Sequence, residues 1–149
     1  MVCLGNICRS PLAEGILKHK ARQHNLNWWI DSAGTSAWHV GELPDPRTIE
    51  VARRFGIDIT DQRARQISLN DFEQFDLIFA MDRQNLRDLR EMAPSLQQKQ
   101  KIRLLLDVLY PGQEREVPDP YYGGIEGFVE VFRLIERACD QIIAQYKPK

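Results

Sequence analysis

Apolar runs alternate along the chain with amphipathic stretches, and that alternation predicts an α/β fold on a parallel sheet. Val2–Leu4 reads as the end of a first strand and Trp28–Ser32 as a second, closing in the Ala33-Gly34 turn. Phe75–Ala80 is the clearest buried strand, and Ile102–Leu106 supplies a fourth. Helical patterns lie between them. Leu12, Ala13, Ile16 and Leu17 give the first helix its apolar face, with Ser10 as cap and Pro11 at the first helical position. Ile49, Val51, Ala52 and Phe55 mark a helix after Pro46 that Gly56 stops. A charged helix runs from Arg83 to Met92. Phe128, Phe132, Ile135, Cys139, Ile142 and Tyr146 step by four and three residues, one face of a long terminal helix. Pro111-Gly112 and Pro118-Asp119-Pro120 make the stretch from Pro111 to Gly124 a loop.

The 149 residues suit one domain, 1–149, with no linker, repeat or low-complexity segment. A formal charge of −1 offers no basic field for nucleic acid. No apolar run approaches the ~20 residues of a membrane span, and no signal-peptide pattern is present. Three cysteines form no paired framework, so a reducing cytoplasm is the expected location. His19, His24 and His39 show no metal-ligand spacing with the cysteines, and neither metal nor other cofactor is expected. A monomer is expected.

The informative segment is V-C-L-G-N-I-C-R-S-P, residues 2 to 11. It puts Cys3 at the end of a strand, Arg9 six residues later and Ser10 at the start of a helix. Successive backbone N–H groups curling into a helix N-terminus form an anion nest, aided by the helix dipole. Gly5 is expected to supply the backbone freedom that the curl needs. The Arg9 guanidinium can give two parallel hydrogen bonds to phosphate oxygens and hold them better in the transition state. Helix N-termini with a nearby cation lower a thiol pKa from roughly 8.5 to about 3.5–7.5, so Cys3 is expected to react as a thiolate without a histidine base. Ser10 can donate its hydroxyl to that sulfur, and the Asn6 amide is expected to hold the nest open. No Gly-Lys-Ser/Thr follows, which excludes a Walker nucleotide loop.

Departure of an alkoxide or phenoxide needs a proton donor, and Asp119 in V-P-D-P-Y-Y-G-G is the candidate. Carboxyl ends of parallel strands share one edge of the sheet, so a loop after the last strand puts Asp119 on the rim of Cys3. A bound dianion or burial would keep the carboxyl protonated when phosphate leaves.

At this point the chain resembles the low-molecular-weight protein-tyrosine phosphatases over nearly its whole length. Cys3 to Ser10 matches the family's V-C-x-G-N-x-C-R-S signature, and Asp119-Pro120-Tyr121-Tyr122 matches its acid loop. Asp31-Ser32-Ala33-Gly34-Thr35, Trp38 with Gly41, Pro44-Asp45-Pro46-Arg47, Ala64-Arg65-Gln66-Ile67, and Ala80-Met81-Asp82 with Asn85-Leu86 are familial as well. The resemblance implies a three-layer sandwich: a four-stranded parallel sheet of flavodoxin-like order 2-1-3-4, flanked by helices. It implies a metal-free two-step reaction through a cysteinyl-phosphate, with Asp119 as acid and then base, and Ser32 bracing Asn6. Leu4, Ile7, Trp38, Tyr121 and Tyr122 would wall the cleft, where ring stacking favours phosphotyrosine proteins over phosphoserine. Free phosphate and other oxyanions would occupy the loop. In the family Cys3 and Cys8 can form a reversible, sheltering disulfide, and the two tyrosines can be phosphorylated.

Two positions depart from the pattern. Only Met1 and Val2 precede Cys3, so the central first strand is cut short and its neighbours are expected to lose pairing. Gln62 stands where some relatives carry a supporting histidine. The protein-arginine-phosphatase branch tends to carry threonine at Ile7, so isoleucine points to phosphotyrosine. Arsenate reduction on this fold needs two further cysteines, and the helix after Ala80 has none. A phosphocarrier would need no acid at Asp119, and an inactive phosphate-binding module is the remaining alternative.

Overall fold

A computed structural model describes residues 1–149. Four short parallel strands form its centre, β1 (Val2–Cys3), β2 (Ala33–Gly34), β3 (Ile78–Ala80) and β4 (Ile102–Leu104), in the order β2-β1-β3-β4. This is the sheet that the resemblance implies. The helices are α1 (Arg9–Gln23), α2 (Pro46–Arg54), α3 (Asp71–Gln74), α4 (Arg83–Met92), α5 (Leu96–Lys99) and α6 (Ile125–Tyr146), with a 3₁₀ turn at Leu105–Val108.

Each face of the sheet has its own core. On one face α1, α2 and α6 bury Leu12, Ile16, Val51, Phe128, Phe132, Ile135, Cys139 and Ile142 around Phe79 and Met81. The apolar stripe of α6 therefore lies where its four-and-three spacing put it, except at Tyr146, which is exposed. On the other face Phe72 of α3 and Leu89 of α4 pack on Val2, Ile78, Ala80 and Ile102. Each such side chain, fully removed from water, contributes about 1.5–3 kcal/mol.

The strands are shorter than the apolar runs predict, and β2 and β3 also start later. Val2 is matched with Ala33 on one side and Ala80 on the other, and Cys3 with Gly34. Val2 alone is matched on both sides, so this short strand still joins β2 to β3. Met1 extends the ladder by one step: its amino group donates to the Asp31 carbonyl and its own carbonyl accepts from Ala33 N–H. Trp28–Ser32 and Phe75–Leu77 lie outside the strands, in line with the expected loss of pairing beside β1. The fourth run ends at Leu104 because the chain tightens into the 3₁₀ turn.

The helix boundaries are closer to expectation. α2 starts on Pro46, capped by the Asp45 carboxylate, and Gly56 follows it with φ +79°. α4 spans Arg83–Met92 behind a reciprocal cap between Asp82 and Asn85. Ser10 is not the cap of α1: the helix begins at Arg9, behind Cys8. No helix is long and apolar enough to cross a membrane.

Candidate active site

The chain leaves β1 at Cys3, curls through Leu4–Cys8 and enters α1 at Arg9, so loop and helix N-terminus together surround the Cys3 sulfur. The Asn6 N–H donates to Cys3 Sγ at 3.3 Å, and Ser10 Oγ lies 3.0 Å from the same sulfur. Ser10 is free to be the donor there. Its oxygen already accepts from Asn6 Nδ2 at 2.8 Å, so its own hydrogen is left for sulfur. Asn6 Nδ2 also reaches Ser32 Oγ at 3.0 Å, and its Oδ1 accepts from Arg65 N–H at 3.0 Å. The Ser32 hydroxyl in turn donates to the buried Glu14 carboxylate at 2.6 Å. An acceptor-only group at the far end thus sets the direction of every bond back to Cys3.

Asn6, not Gly5, carries the left-handed turn of the loop, at φ +57°. Gly5 serves by being small: a Cβ there would meet the His39 ring at 3.0 Å. Asparagine tolerates the left-handed region better than other side chains, and this one is locked at both ends of its amide. Burial, with the nearby Asp45 carboxylate adding to it, pushes the Cys8 thiol up to about 12, so Cys8 stays protonated at neutral pH. All three cysteines are free thiols in this structure.

Arg9 is buried, with Nη1 donating to Asp82 Oδ2 at 2.8 Å and to the Val117 carbonyl at 3.0 Å. Val117 N–H is itself bonded to the Met81 carbonyl just beyond β3. That bond lays the following residues along the carboxyl edge of the sheet and brings Asp119 Oδ2 to 3.9 Å from Arg9 Nη2. Asp119 is partly exposed, and its Oδ1 accepts from Tyr121 N–H at 3.0 Å.

A cleft of about 200 Å³ opens over the sulfur, lined by Cys3, Leu4, Gly5, Ile7, Cys8, Arg9, Trp38, Asp119, Tyr121 and Tyr122, with His39 beside them. Asn6, Ser10 and Ser32 stand behind the cleft as its scaffold. Trp38 is 74% exposed and Tyr122 94%, so these aromatics form walls and not core. A second hollow, about 420 Å³, lies between Met1, Trp28–Asp31 and Phe75–Leu77 and has no nucleophile or cationic side chain. The smaller one holds every cleft residue that the sequence nominates. Gln62 supports α1 with a bond from Nε2 to the Pro11 carbonyl at 3.0 Å.

Sequence reasoning gave no role to Asp82, which holds Arg9; His39 lines the cleft beside Trp38, its Nδ1 facing Glu42 and its ring packed on Gly5. The signal for Asp82 was its position directly after the Phe75–Ala80 run, at the strand end where ligands meet an open α/β sheet.

A family model for low molecular weight phosphotyrosine protein phosphatase matches residues 1–149. The chain belongs to this family. It is accordingly an enzyme of the phosphatase class of hydrolases. It is 46% identical over 134 residues to the low molecular weight phosphotyrosine protein phosphatase of Schizosaccharomyces pombe, an alignment covering 88% of this chain and 85% of that one. A protein tyrosine phosphatase from Entamoeba histolytica, solved with Hepes in its active site, superposes with a TM-score of 0.90 at 42% identity, covering 97% of this chain and 92% of that one. A Drosophila arginine phosphatase superposes with a TM-score of 0.91 at 38% identity over 99% and 96%.

The phosphatase loop tolerates little added volume behind it. A Cβ on Gly34 would lie 2.8 Å from the Leu4 carbonyl oxygen and 3.2 Å from Asn6 N, both backbone atoms with no rotamer to yield. Gly34→Ala is therefore expected to cost about 1–3 kcal/mol of stability and to lower turnover by displacing the loop. A thermal melt beside p-nitrophenyl phosphate turnover checks it; an unchanged melt with an unchanged rate contradicts the packing argument.

Proposed function

We propose that this phosphatase hydrolyses phosphotyrosine in proteins through a cysteinyl-phosphate intermediate. The observation that carries the reading is the Cys3 sulfur, backed by the Asn6 N–H and Ser10 hydroxyl, on the floor of a cleft reached by both Arg9 and Asp119. In the first step the Cys3 thiolate attacks phosphorus and the bond to the phenolic oxygen breaks. Asp119 gives that oxygen its proton, so the leaving group departs neutral. In the second step the Asp119 carboxylate takes a proton from water. The water oxygen then attacks phosphorus, and the S–P bond breaks to return the thiolate to the Ser10 hydroxyl. Arg9 and the loop amides carry the charge on the transferring phosphoryl group throughout.

The exposed walls favour an aromatic substrate. Trp38, Tyr121 and Tyr122 offer flat apolar surface beside the phosphate site, which a phenyl ring can cover and a serine side chain is too short to reach. The likeness to an arginine phosphatase supports phosphoarginine as the second reading; Ile7 on the cleft, where that branch tends to carry threonine, weighs against it.

Turnover of matched phosphotyrosine, phosphoarginine and phosphoserine peptides without added metal tests the assignment. Phosphotyrosine is expected to lead in kcat/KM by about tenfold or more over each rival, the scale set by one lost apolar contact in a pocket. A lead for phosphoarginine overturns the substrate, and a single stoichiometric burst without sustained release overturns hydrolysis in favour of a carrier.

A further inference from the structure

The loop that bears Asp119 has few bonds of its own: Tyr121 N–H to Asp119 Oδ1 and Gly123 N–H to the Pro120 carbonyl, both at 3.0 Å. Tyr121 and Tyr122, the residues that follow, are exposed. From Asp119 to Gly123, the one side chain from elsewhere in the chain that hydrogen-bonds to the loop is Arg47. Its Nη2 donates to the Tyr121 carbonyl at 2.8 Å and its Nη1 to the Gly123 carbonyl at 3.0 Å. The guanidinium also lies over the Phe128 ring, 4.5 Å from its centroid, and over the Tyr121 ring at 5.5 Å.

Arg47 is itself held. Its Nε and Nη2 donate to the two oxygens of Asp45, each at 3.1 Å, and Asp45 is buried at the N-cap of α2. Asp45 N–H in turn donates to the carbonyl of Ile7, inside the loop that surrounds Cys3, at 2.8 Å. A chain of hydrogen bonds therefore runs from the nucleophile's loop through Asp45 and Arg47 to the two carbonyls that follow Asp119. A planar five-donor fork suits such a strap because it makes four hydrogen bonds at once to a carboxylate and two carbonyls, one more than the three N–H groups of an ammonium allow.

We infer that Arg47 is a positioning residue for the proton donor, fixing the Asp119 loop at the distance from Cys3 that protonation of the leaving group requires. The inference rests on the reading of Asp119 given above. It assigns to Arg47 no contact with substrate: its part is to keep the carboxyl in place, and misplacement of a reacting group by about 1 Å can cost about 100-fold in rate.

The test is a set of three variants, Asp119→Ala, Arg47→Met and the two combined, assayed with a good leaving group (p-nitrophenyl phosphate) and a poor one (phenyl phosphate). Asp119→Ala is expected to slow the poor leaving group by about 100-fold and the good one far less. Arg47→Met keeps an apolar stem on Phe128 but loses every donor. It is expected to slow the poor leaving group by about tenfold, mainly in kcat, because the acid is misplaced and not removed. Combined with Asp119→Ala it should add nothing. Arg47→Lys, which restores the charge and three N–H donors but no planar fork, should recover part of the loss.

The failures are separable. Should Asp119→Ala slow both substrates alike, the acid assignment falls. Should Asp119→Ala discriminate while Arg47→Met slows both alike, slows neither, or multiplies fully with Asp119→Ala, the acid stands and the Arg47 inference is wrong. If Arg47→Met melts below assay temperature, Asp45→Asn serves in its place: it loosens the guanidinium's anchor, leaves both carbonyl contacts available, and should give a weaker form of the same leaving-group bias; equal slowing of both substrates by Asp45→Asn also overturns the inference.

Discussion

Cys3→Ser is expected to abolish turnover, by at least about 10⁴-fold, the scale of losing a nucleophile that acts in concert with its neighbours, while phosphate still binds. The two halves of this expectation come from different atoms. Turnover needs a polarisable, ionisable atom at residue 3, and a serine hydroxyl there meets no general base: Ser10 and the Asn6 N–H are its neighbours, and both are placed to donate. Binding needs the loop amides, the start of α1 and the Arg9 guanidinium, none of which the substitution touches. The change is also small in the fold. Cys3 is buried in a ladder that its backbone, not its side chain, sustains. Phosphate titrated by calorimetry against the variant, beside p-nitrophenyl phosphate turnover, separates the two. Turnover within about 100-fold of the parent would place the nucleophile elsewhere, and Cys8, held as a thiol, would be the next residue to replace.

The part of this machinery that was legible in the sequence is the part in which chemistry and spacing coincide. Cys3, Arg9 and Ser10 flank one short loop, so their residue types and separations already suggest an anion site at a helix N-terminus. Asp119, far along the chain, was reached through topology: parallel strands share an edge, and the Val117–Met81 bond is the local device that brings its loop there. The terminal helix was legible because its apolar period is long and regular; Tyr146 fell off the stripe only in the last turn.

What was not legible depended on tertiary partners. Strand limits are set by backbone pairing across the sheet, which no apolar run records. The helical cap was misassigned to Ser10 because serine is a good cap by preference; here its hydroxyl is committed to Cys3 and Asn6, and Cys8 takes the cap position without a side-chain bond. The freedom credited to Gly5 belongs to Asn6, whose left-handed backbone is held by bonds from Arg65 and to Ser32. Asp82 and Arg47 act through groups distant in sequence, so their type alone gave no role to either.

Arg9→Lys is expected to lower kcat by about 10³-fold, the upper end of what one preorganised oxyanion donor supplies, although the positive charge is retained. The reason is a count of N–H groups. Of the five on the guanidinium, the two on Nη1 are spent on Asp82 and the Val117 carbonyl. Nε and Nη2 have no protein hydrogen-bond acceptor, and together they are the edge that pairs with two phosphate oxygens at once. A lysine ammonium placed in this buried position can satisfy Asp82 or a phosphate oxygen, not the same set, and it has no planar edge to follow the oxygens as they move outward in the transition state. The loss should therefore fall on kcat more than on KM. A purely structural role makes a different forecast: if Arg9 served only to neutralise Asp82, lysine would substitute well and kcat would stay within about tenfold. The thermal melt guards the comparison, because breaking a buried ion pair outright costs about 3–5 kcal/mol, whereas lysine keeps a charge beside Asp82 and should melt close to the parent. A lysine variant that melts normally yet retains a tenth of the parent kcat would remove the guanidinium clamp from the mechanism.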